Sequence, residues 1–588
     1  MEKQDIISKA KEYVAKEKET RFREEVEALL AAEDFKELED RFYKQLEFGT
    51  GGLRGVIGGG YNRMNTLVVK SATQGLAAYL VKTFPEKASN NGLSAVIAFD
   101  SRHYSVEFAE GAALVLAANG IKTYLFSSMR PTPELSFAIR TLKADTGIVV
   151  TASHNPPKYN GYKAYWNDGS QVIEPHDTGI IDEVNAVTEI KEIDKKTALD
   201  KGLLKIIDKE IDEPFQNMIR AHLFRPELIK EKAKEVKIVY TPLHGTGAMH
   251  VESVLGSLGL DILTVPEQRD GNGDFPTVDF PNPEEPPALK MAIDLGKKSV
   301  ADVVMATDPD ADRFGIAVPS NGEFVCVTGN QLGSLLIDYV CLSLKETGKM
   351  PANPAFINSI VTTGMQERVA ELYGVKRQEC LTGFKWIADV MRKSDEGQIP
   401  EKIVFGTEES YGFLVENEVR DKDGISAAAM TAEMTLYWRS KGKSLLERLD
   451  ELYEKCGCWV DTGISKYFQG PKGQEIMAGI LAEFRKNPPK TLGGIEVKKV
   501  RDIEASVSLF PHEQGKKEPV DLPKSNVLQF YLKDGTIVSA RPSGTEPKIK
   551  FYASGFETVG NTGLKAARDI CTKKMNSIKE ELQKVLSD

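Results

Sequence analysis

Three aspartates, Asp308, Asp310 and Asp312, alternate in the segment D-P-D-A-D-R, directly after an apolar run. On extended backbone their carboxylates would all project to one side. Like charges that close repel unless a cation neutralises them, and an all-oxygen donor set selects a hard ion, Mg2+ over Zn2+. An EF-hand opens the same way, but it needs Gly at its sixth position and Glu at its twelfth. Here those positions hold Arg313 and Pro319. A solvated acidic turn is the competing reading, and its position after a buried strand argues against it.

A second candidate is T-A-S-H-N-P, Thr151 to Pro156, where Ser153 offers a hydroxyl beside His154. It lacks the glycines of a G-x-S-x-G elbow. His154 is expected to be a poor base for its own neighbour, because adjacent side chains usually diverge, and alone the segment would pass for a polar turn. G-T-E-E-S-Y-G, Gly406 to Gly412, carries Glu408, Glu409 and Ser410, acceptors of the kind that face sugar hydroxyls, or else an ordinary surface loop. R-P-S-G-T-E-P supplies Arg541, able to fork onto a phosphate, and Ser543, Gly544 and Thr545 with hydroxyls and close backbone N–H groups. Neither a Walker loop nor a complete G-x-G-x-x-G occurs, which disfavours the common nucleotide enzymes. A metal site, a hydroxyl nucleophile, a polyol reader and a phosphate cradle together point to phosphoryl transfer on a phosphosugar, with the protein itself holding the group.

These loops need elements to hold them. Short β-branched runs precede each: Ser94 to Phe99 before Asp100-Ser101-Arg102, Gly147 to Val150 before Thr151, Val236 to Tyr240 before T-P-L-H-G-T-G, Ala301 to Met305 before Asp308, and Lys402 to Phe405 before Gly406. Such runs alternating with helical stretches indicate parallel sheets in α/β domains, and ligands bind beyond the carboxyl ends of such strands. Three units in succession predict three similar α/β domains whose loops share a cleft. The end of the chain differs. Val527 to Leu532, a turn at Lys533-Asp534-Gly535, Thr536 to Ala540, Lys548 to Tyr552 and a helix from about Thr562 to Leu586 predict an antiparallel α+β domain. The expected division is a helical extension over 1–48, then domains over 49–205, 206–325, 326–455 and 456–588. Residues 1–48 read as two helices with Phe22, Val26, Leu29 and Leu30 on one face.

Composition limits the alternatives. The 588 residues, at about 100–200 per domain, suggest about four domains. A net charge of −10 argues against a dedicated nucleic-acid binder. No run approaches the roughly 18 apolar residues of a membrane span, and the N-terminus lacks a signal-peptide core. Of six cysteines only Cys456 and Cys458 are close, with no second pair to complete a zinc site, and all six suit reduced thiols, so a cytoplasmic protein without nucleic-acid or membrane partners is expected.

With those loops in order, the chain from about residue 49 to 588 resembles the α-D-phosphohexomutase superfamily, in its long-form phosphoglucomutase branch. The resemblance implies three related α/β domains with mainly parallel mixed sheets and a C-terminal α+β domain of the TATA-box-binding-protein-like type, around a central cleft. It implies Ser153 as the phosphoserine, and Asp308, Asp310 and Asp312 as Mg2+ ligands with a phosphoserine oxygen. Arg313 would assist phosphate and sugar contacts, Glu408 and Ser410 would read sugar hydroxyls, and Arg541, Ser543, Gly544 and Thr545 would hold the non-reacting phosphate. Lys163 in N-G-Y-K and Lys385 in T-G-F-K-W match positions associated with proton transfer or active-site charge. Arg54 in G-G-L-R-G matches an arginine near the phosphoserine, and His154 a supporting neighbour. The implied reaction interconverts glucose 1-phosphate and glucose 6-phosphate, with glucose 1,6-bisphosphate as intermediate and activator, in a monomer or weak homodimer. The E-E-S core favours the glucomutase branch over the E-M-S-G-H form of many phosphomannomutase/phosphoglucomutases. Phosphomannomutase or phosphopentomutase activity, glucose 1,6-bisphosphate synthase and a catalytically silent phosphosugar-binding protein are the alternatives.

Overall fold

The computed structural model describes residues 3–49, 51–468, 472–513, 515–542, 548–561 and 563–586. The chain divides into two compact units. The first comprises Met1–Val327, Met391–Lys393 and Tyr411–Tyr437; the second comprises Thr328–Val390, Ser394–Ser410 and Trp438–Asp588.

The first unit holds two mixed sheets. One is six-stranded, in the order Gly52–Val56, Tyr159–Trp166, Thr146–Val150, Ser94–Phe99, Lys122–Phe126 and Leu204–Ile207. Its first two pairings are antiparallel and the rest parallel. The other is five-stranded, with Val303–Thr307, Lys237–Thr241 and Asp261–Thr264 parallel, and Phe314–Ser320 and Glu323–Val327 added antiparallel. Thr146–Val150 and Val303–Thr307 are buried at every position, as expected of central strands covered on both faces. Ser153 and the aspartates follow those two strands, so their loops start from the most constrained backbone in each sheet.

The second unit pairs Lys376–Cys380, Pro354–Ser359 and Lys402–Glu408 in parallel. Its other sheet is antiparallel and includes Cys458–Tyr467, Lys548–Glu557, Ile537–Pro542, Leu528–Leu532 and Ile495–Asp502. The helix Gly563–Val585 buries Met575, Ile578 and Leu582 in the same apolar cluster as Val538 and Phe551 of that sheet. The fold is therefore α/β with mixed sheets and a C-terminal α+β domain.

Two sequence expectations are corrected. The N-terminal extension forms three helices, Lys3–Lys16, Thr20–Ala31 and Phe35–Phe42, not two. The extra break carries no Gly or Pro: Glu33 turns left-handed at φ 52° and Asp34 caps the third helix by accepting from Glu37 N at 3.2 Å. Phe22 and Val26 are buried, as the spacing suggests. The aspartates do not lie on extended backbone. After the strand ends at Thr307 the chain turns, with Ala311 N donating to Asp308 O at 2.9 Å and Ala311 at φ 52°. All six cysteines are free thiols.

Candidate active site

The turn at Asp308 brings the three carboxylates together. One oxygen from each of Asp308, Asp310 and Asp312 lies within 4.8 Å of the others, and all three residues are buried. Asp310 Oδ1 and Asp312 Oδ1 are buried without a hydrogen-bond partner. Buried acceptors left over in a cluster of anions fit a hard divalent cation. The turn is supported from below by T-P-L-H-G-T-G: Thr246 N and Oγ1 donate to Pro309 O at 2.8 and 3.0 Å. Thr132, at the start of the helix Thr132–Leu142, donates through N to Asp310 O at 2.9 Å and through Oγ1 to Asp310 Oδ2 at 2.8 Å.

Ser153 reaches this cluster. It lies in the loop after Val150, is 4% exposed, and sits in the left-handed region at φ 51°. That conformation costs a non-glycine residue on the order of 1–3 kcal/mol and persists only where the surroundings enforce it. Its Oγ donates to Asp308 Oδ2 at 2.6 Å, and His154 Nδ1 lies 3.2 Å from the same Oγ. His154 therefore does not diverge from its neighbour as adjacent side chains usually do. The left-handed turn at Ser153 rotates successive side chains out of the alternation that holds on extended backbone.

Lys163 projects from the strand Tyr159–Trp166, beside the serine loop's own strand, and donates to Asp310 Oδ2 at 2.8 Å and Asp312 Oδ2 at 3.2 Å. Lys422, which the sequence reading missed, lies 3.3 Å from Asp312 Oδ2 and 3.1 Å from Asp421. Its signal was a run of charges, R-D-K-D-G, at the start of an apolar helix. Arg313 N donates to Asp308 Oδ1 at 2.9 Å while its guanidinium pairs with Glu284 at 3.2 Å. Arg54 is exposed on Gly52–Val56, opposite Gly161 in the neighbouring strand.

These charges set the protonation of the site. Burial, reinforced by Asp310 and Asp312, pushes the Asp308 carboxyl well above the ordinary range. Burial alone would raise Asp312 too, but Lys422, Lys163 and Arg313 hold it below the usual carboxylate value. For Lys163, burial is outweighed by Asp310 and Asp312, which keep it cationic. Burial, then the Arg313 and Arg54 charges, push His154 well below its ordinary value, so its imidazole is uncharged at neutral pH. The ensemble can hold a cation, present an oxygen nucleophile and move a proton.

The remaining sequence candidates lie in the second unit. Glu408 is buried and accepts from Gly383 N at 2.6 Å. Glu409 accepts from Ser359 at 3.0 Å and Thr362 at 3.2 Å, and Ser410 is half-buried in the following turn. Lys385 is in the first turn of Phe384–Asp395, with Nζ 5.6 Å from the Trp386 ring centre. Arg541 is the penultimate residue of the strand Ile537–Pro542, opposite Lys550 in the neighbouring strand. Ser543, Gly544 and Thr545 lie outside the described residues.

Profiles of the phosphoglucomutase/phosphomannomutase family match the chain in four blocks: alpha/beta/alpha domain I at residues 45–191, domain II at 213–322, domain III at 328–456 and the C-terminal domain at 488–568. The chain is 36% identical over 525 residues to a Staphylococcus aureus (strain MRSA252) protein named phosphoglucomutase, covering 88% of this chain and 91% of the relative. It is also 36% identical over 549 residues to a Schizosaccharomyces pombe protein named "Probable phosphoribomutase", covering 90% of each. Its fold is similar to that of the Paramecium phosphoprotein pp63/parafusin, at a TM-score of 0.68, 19% identity, and 93% and 95% coverage of this chain and that one. The chain belongs to the phosphoglucomutase/phosphomannomutase family, and so to the α-D-phosphohexomutases. Within that class it is an isomerase of the mutase type.

Proposed function

We propose that the protein is a phosphoglucomutase, interconverting glucose 1-phosphate and glucose 6-phosphate through a phosphoserine at Ser153 and a glucose 1,6-bisphosphate intermediate. The observation that carries this is the 2.6 Å hydrogen bond from Ser153 Oγ to Asp308, which sets a strained, buried hydroxyl against the acidic turn. In the forward step the bond between Ser153 Oγ and phosphorus breaks as the free sugar hydroxyl forms its own bond to phosphorus. The sugar hydroxyl gives up its proton and the released Ser153 Oγ takes one up, and Lys163 and Lys385 are assigned to proton transfer and active-site charge. In the return step the bond between phosphorus and the oxygen at the other end of the sugar breaks as Ser153 Oγ bonds to that phosphorus; Ser153 gives up its proton and the released sugar oxygen takes one up. His154 Nδ1, 3.2 Å from Oγ, and Asp308 Oδ2, which accepts from Oγ at 2.6 Å, are the two groups close enough to take the Ser153 proton as the new ester forms.

Mg2+ suits the all-carboxylate set Asp308, Asp310 and Asp312, completed by a phosphoserine oxygen, and when bound it supplies charge neutralisation at the phosphoryl group. Arg54 and Arg313 add positive charge about His154 beside Ser153. Glu408 and Ser410 are assigned to the sugar hydroxyls, and Arg541, Ser543, Gly544 and Thr545 to the distal phosphate, on the sequence pattern. Free thiols throughout suit a cytoplasmic enzyme.

Equal identity to the relative named for phosphoribose supports pentose phosphates as the second reading. Turnover of glucose 1-phosphate, mannose 1-phosphate and ribose 1-phosphate, each with Mg2+ and trace bisphosphate, decides between them. The expected result is a preference for glucose; no turnover of any of the three would overturn the proposal. Ser153→Ala should lower turnover by more than about a thousandfold, and its intact mass should lack the phosphoryl adduct of the wild type.

A further inference from the structure

Ser153 is strained, and something must hold it so. The residues that do are not those that touch a substrate. Asp100 and Arg102 follow the strand Ser94–Phe99, which lies beside the serine's own strand. The Arg102 side chain is fully buried. Its guanidinium donates to four carbonyls of the serine loop: Ser153 O and Asn155 O through one terminal nitrogen, Pro156 O and Tyr159 O, each at 3.0 Å, through the other. The ring of Phe275 lies 4.9 Å from its central carbon. Asp100 completes the fastening: Oδ2 lies 3.3 Å from Arg102 Nε and accepts from Thr151 Oγ1 at 2.7 Å, and Thr151 Oγ1 in turn accepts from Ser153 N at 2.8 Å.

We propose that Arg102 is a positioning residue for the phosphoryl-transfer step: by gathering four carbonyls of the loop onto one rigid cation it holds Ser153 in the left-handed conformation that directs Oγ onto Asp308. This rests on the phosphoserine reading above. The shape of the guanidinium carries the assignment. Only a planar fork with several donors in fixed directions can satisfy carbonyls from residues 153, 155, 156 and 159 together. A lysine keeps the charge but has three donors on a single nitrogen, so at least one carbonyl is released and the loop can relax toward ordinary backbone angles. Because the contacts are to main chain and none reaches a substrate-binding residue, the loss belongs in kcat and not in KM. A displacement of about 1 Å at the reacting atom costs on the order of a hundredfold in rate.

The test compares wild type, Arg102→Lys, Arg102→Gln and Arg102→Ala for kcat, KM and thermal midpoint, and for the rate at which glucose 1,6-bisphosphate adds a phosphoryl group to Ser153, followed by intact mass. Arg102→Lys is expected to lose on the order of 10–100-fold in kcat and in Ser153 phosphorylation, with KM within about twofold. Millimolar guanidinium should restore at least about tenfold of the Arg102→Ala rate, and methylammonium should not. A folded Arg102→Lys or Arg102→Gln enzyme with wild-type kcat would overturn the inference, as would a loss confined to KM. Should Arg102→Ala fail to fold, the other two variants carry the test. A wild type that never acquires phosphate at Ser153 would instead overturn the phosphoserine reading.

Discussion

Asp310 is the residue at which several supports meet: Thr132 and Lys163 both donate to its Oδ2, and its Oδ1 is left without a partner. Asp310→Ala therefore removes a proposed cation ligand together with one of the two carboxylates that hold Lys163. Activity should fall by more than about a hundredfold, and chelation of the wild type should do the same, reversibly on adding Mg2+. Full activity of a thoroughly chelated wild type would remove the metal from the account. At this scale much was legible. The alternating aspartates and Ser153 come together, and Lys163, which its own segment presents as a solvated lysine and only the resemblance singled out, donates to two of the aspartates. The reason for convergence was not legible, because a tight turn at Ala311 and a left-handed Ser153 leave no mark in residue type. The same backbone feature defeated the expectation about His154. Lys422 and Arg102 were missed because a charged residue in a polar run looks solvated until the fold buries it.

Among elements, the loop from Thr241 to Gly247 acts as the floor of the acidic turn. A methyl at Gly245 would lie 2.3 Å from Pro309 Cα and 2.4 Å from its carbonyl oxygen, both backbone atoms that cannot move aside alone. Gly245→Ala should cost about 1–3 kcal/mol by overpacking and raise the Mg2+ concentration for half-maximal rate. Gly256→Ala, on the helix just beyond, meets nothing within 4 Å and has ordinary helical geometry. It should leave the rate unchanged and stabilise by about 0.4–1 kcal/mol. Thermal midpoints and Mg2+ titrations of the two variants check both. The fully buried strands were the legible ones: runs such as Thr146–Val150 and Ser94–Phe99 are found within two residues of the sequence reading, because strands covered on both faces carry unbroken apolar runs, whereas Lys402–Glu408 and Lys548–Glu557 run three and five residues past the ends the sequence suggested. Helix ends without Gly or Pro were not legible. The break at Glu33 depends on an Asp34 cap that also occurs in ordinary turns.

Over the whole molecule, stability and function both depend on buried charge. Glu134, Asp212 and His250 meet in the interior of the first unit, far along the chain from one another. Gln216 Nε2 faces His250 Nδ1 at 3.1 Å, and its Oε1 accepts from Ser253 at 2.7 Å, so His250 presents Nε2–H to Glu134 Oε2 at 2.8 Å. Arg130 occupies both oxygens of Asp212, at 2.7 and 3.0 Å. Burial, aided by Asp212, raises the Glu134 carboxyl above its ordinary value even though the His250 contact opposes this. The folded state then binds a proton that the unfolded chain gives up, so this group's contribution to stability falls as pH rises through the folded value. Glu134→Gln offers the same donor and acceptor without a titration. It should cost less than about 1 kcal/mol at a pH below the ordinary carboxyl range, and urea midpoints should decline less steeply than the wild type's as pH rises above that range. An unchanged slope would assign the buried proton elsewhere. No sequence pattern announces such a network, because its members come from separate helices brought together only by the tertiary fold. The central claim, that Ser153 carries the phosphoryl group in transit, is tested most directly by a pulse–chase. The enzyme is charged with glucose 1,6-bisphosphate labelled with radioactive phosphorus, the label is mapped to a peptide, and unlabelled glucose 1-phosphate is added. The account predicts label on the peptide containing Ser153 that leaves at least as fast as turnover; label on another residue, or label that stays on Ser153 while turnover proceeds, would contradict it.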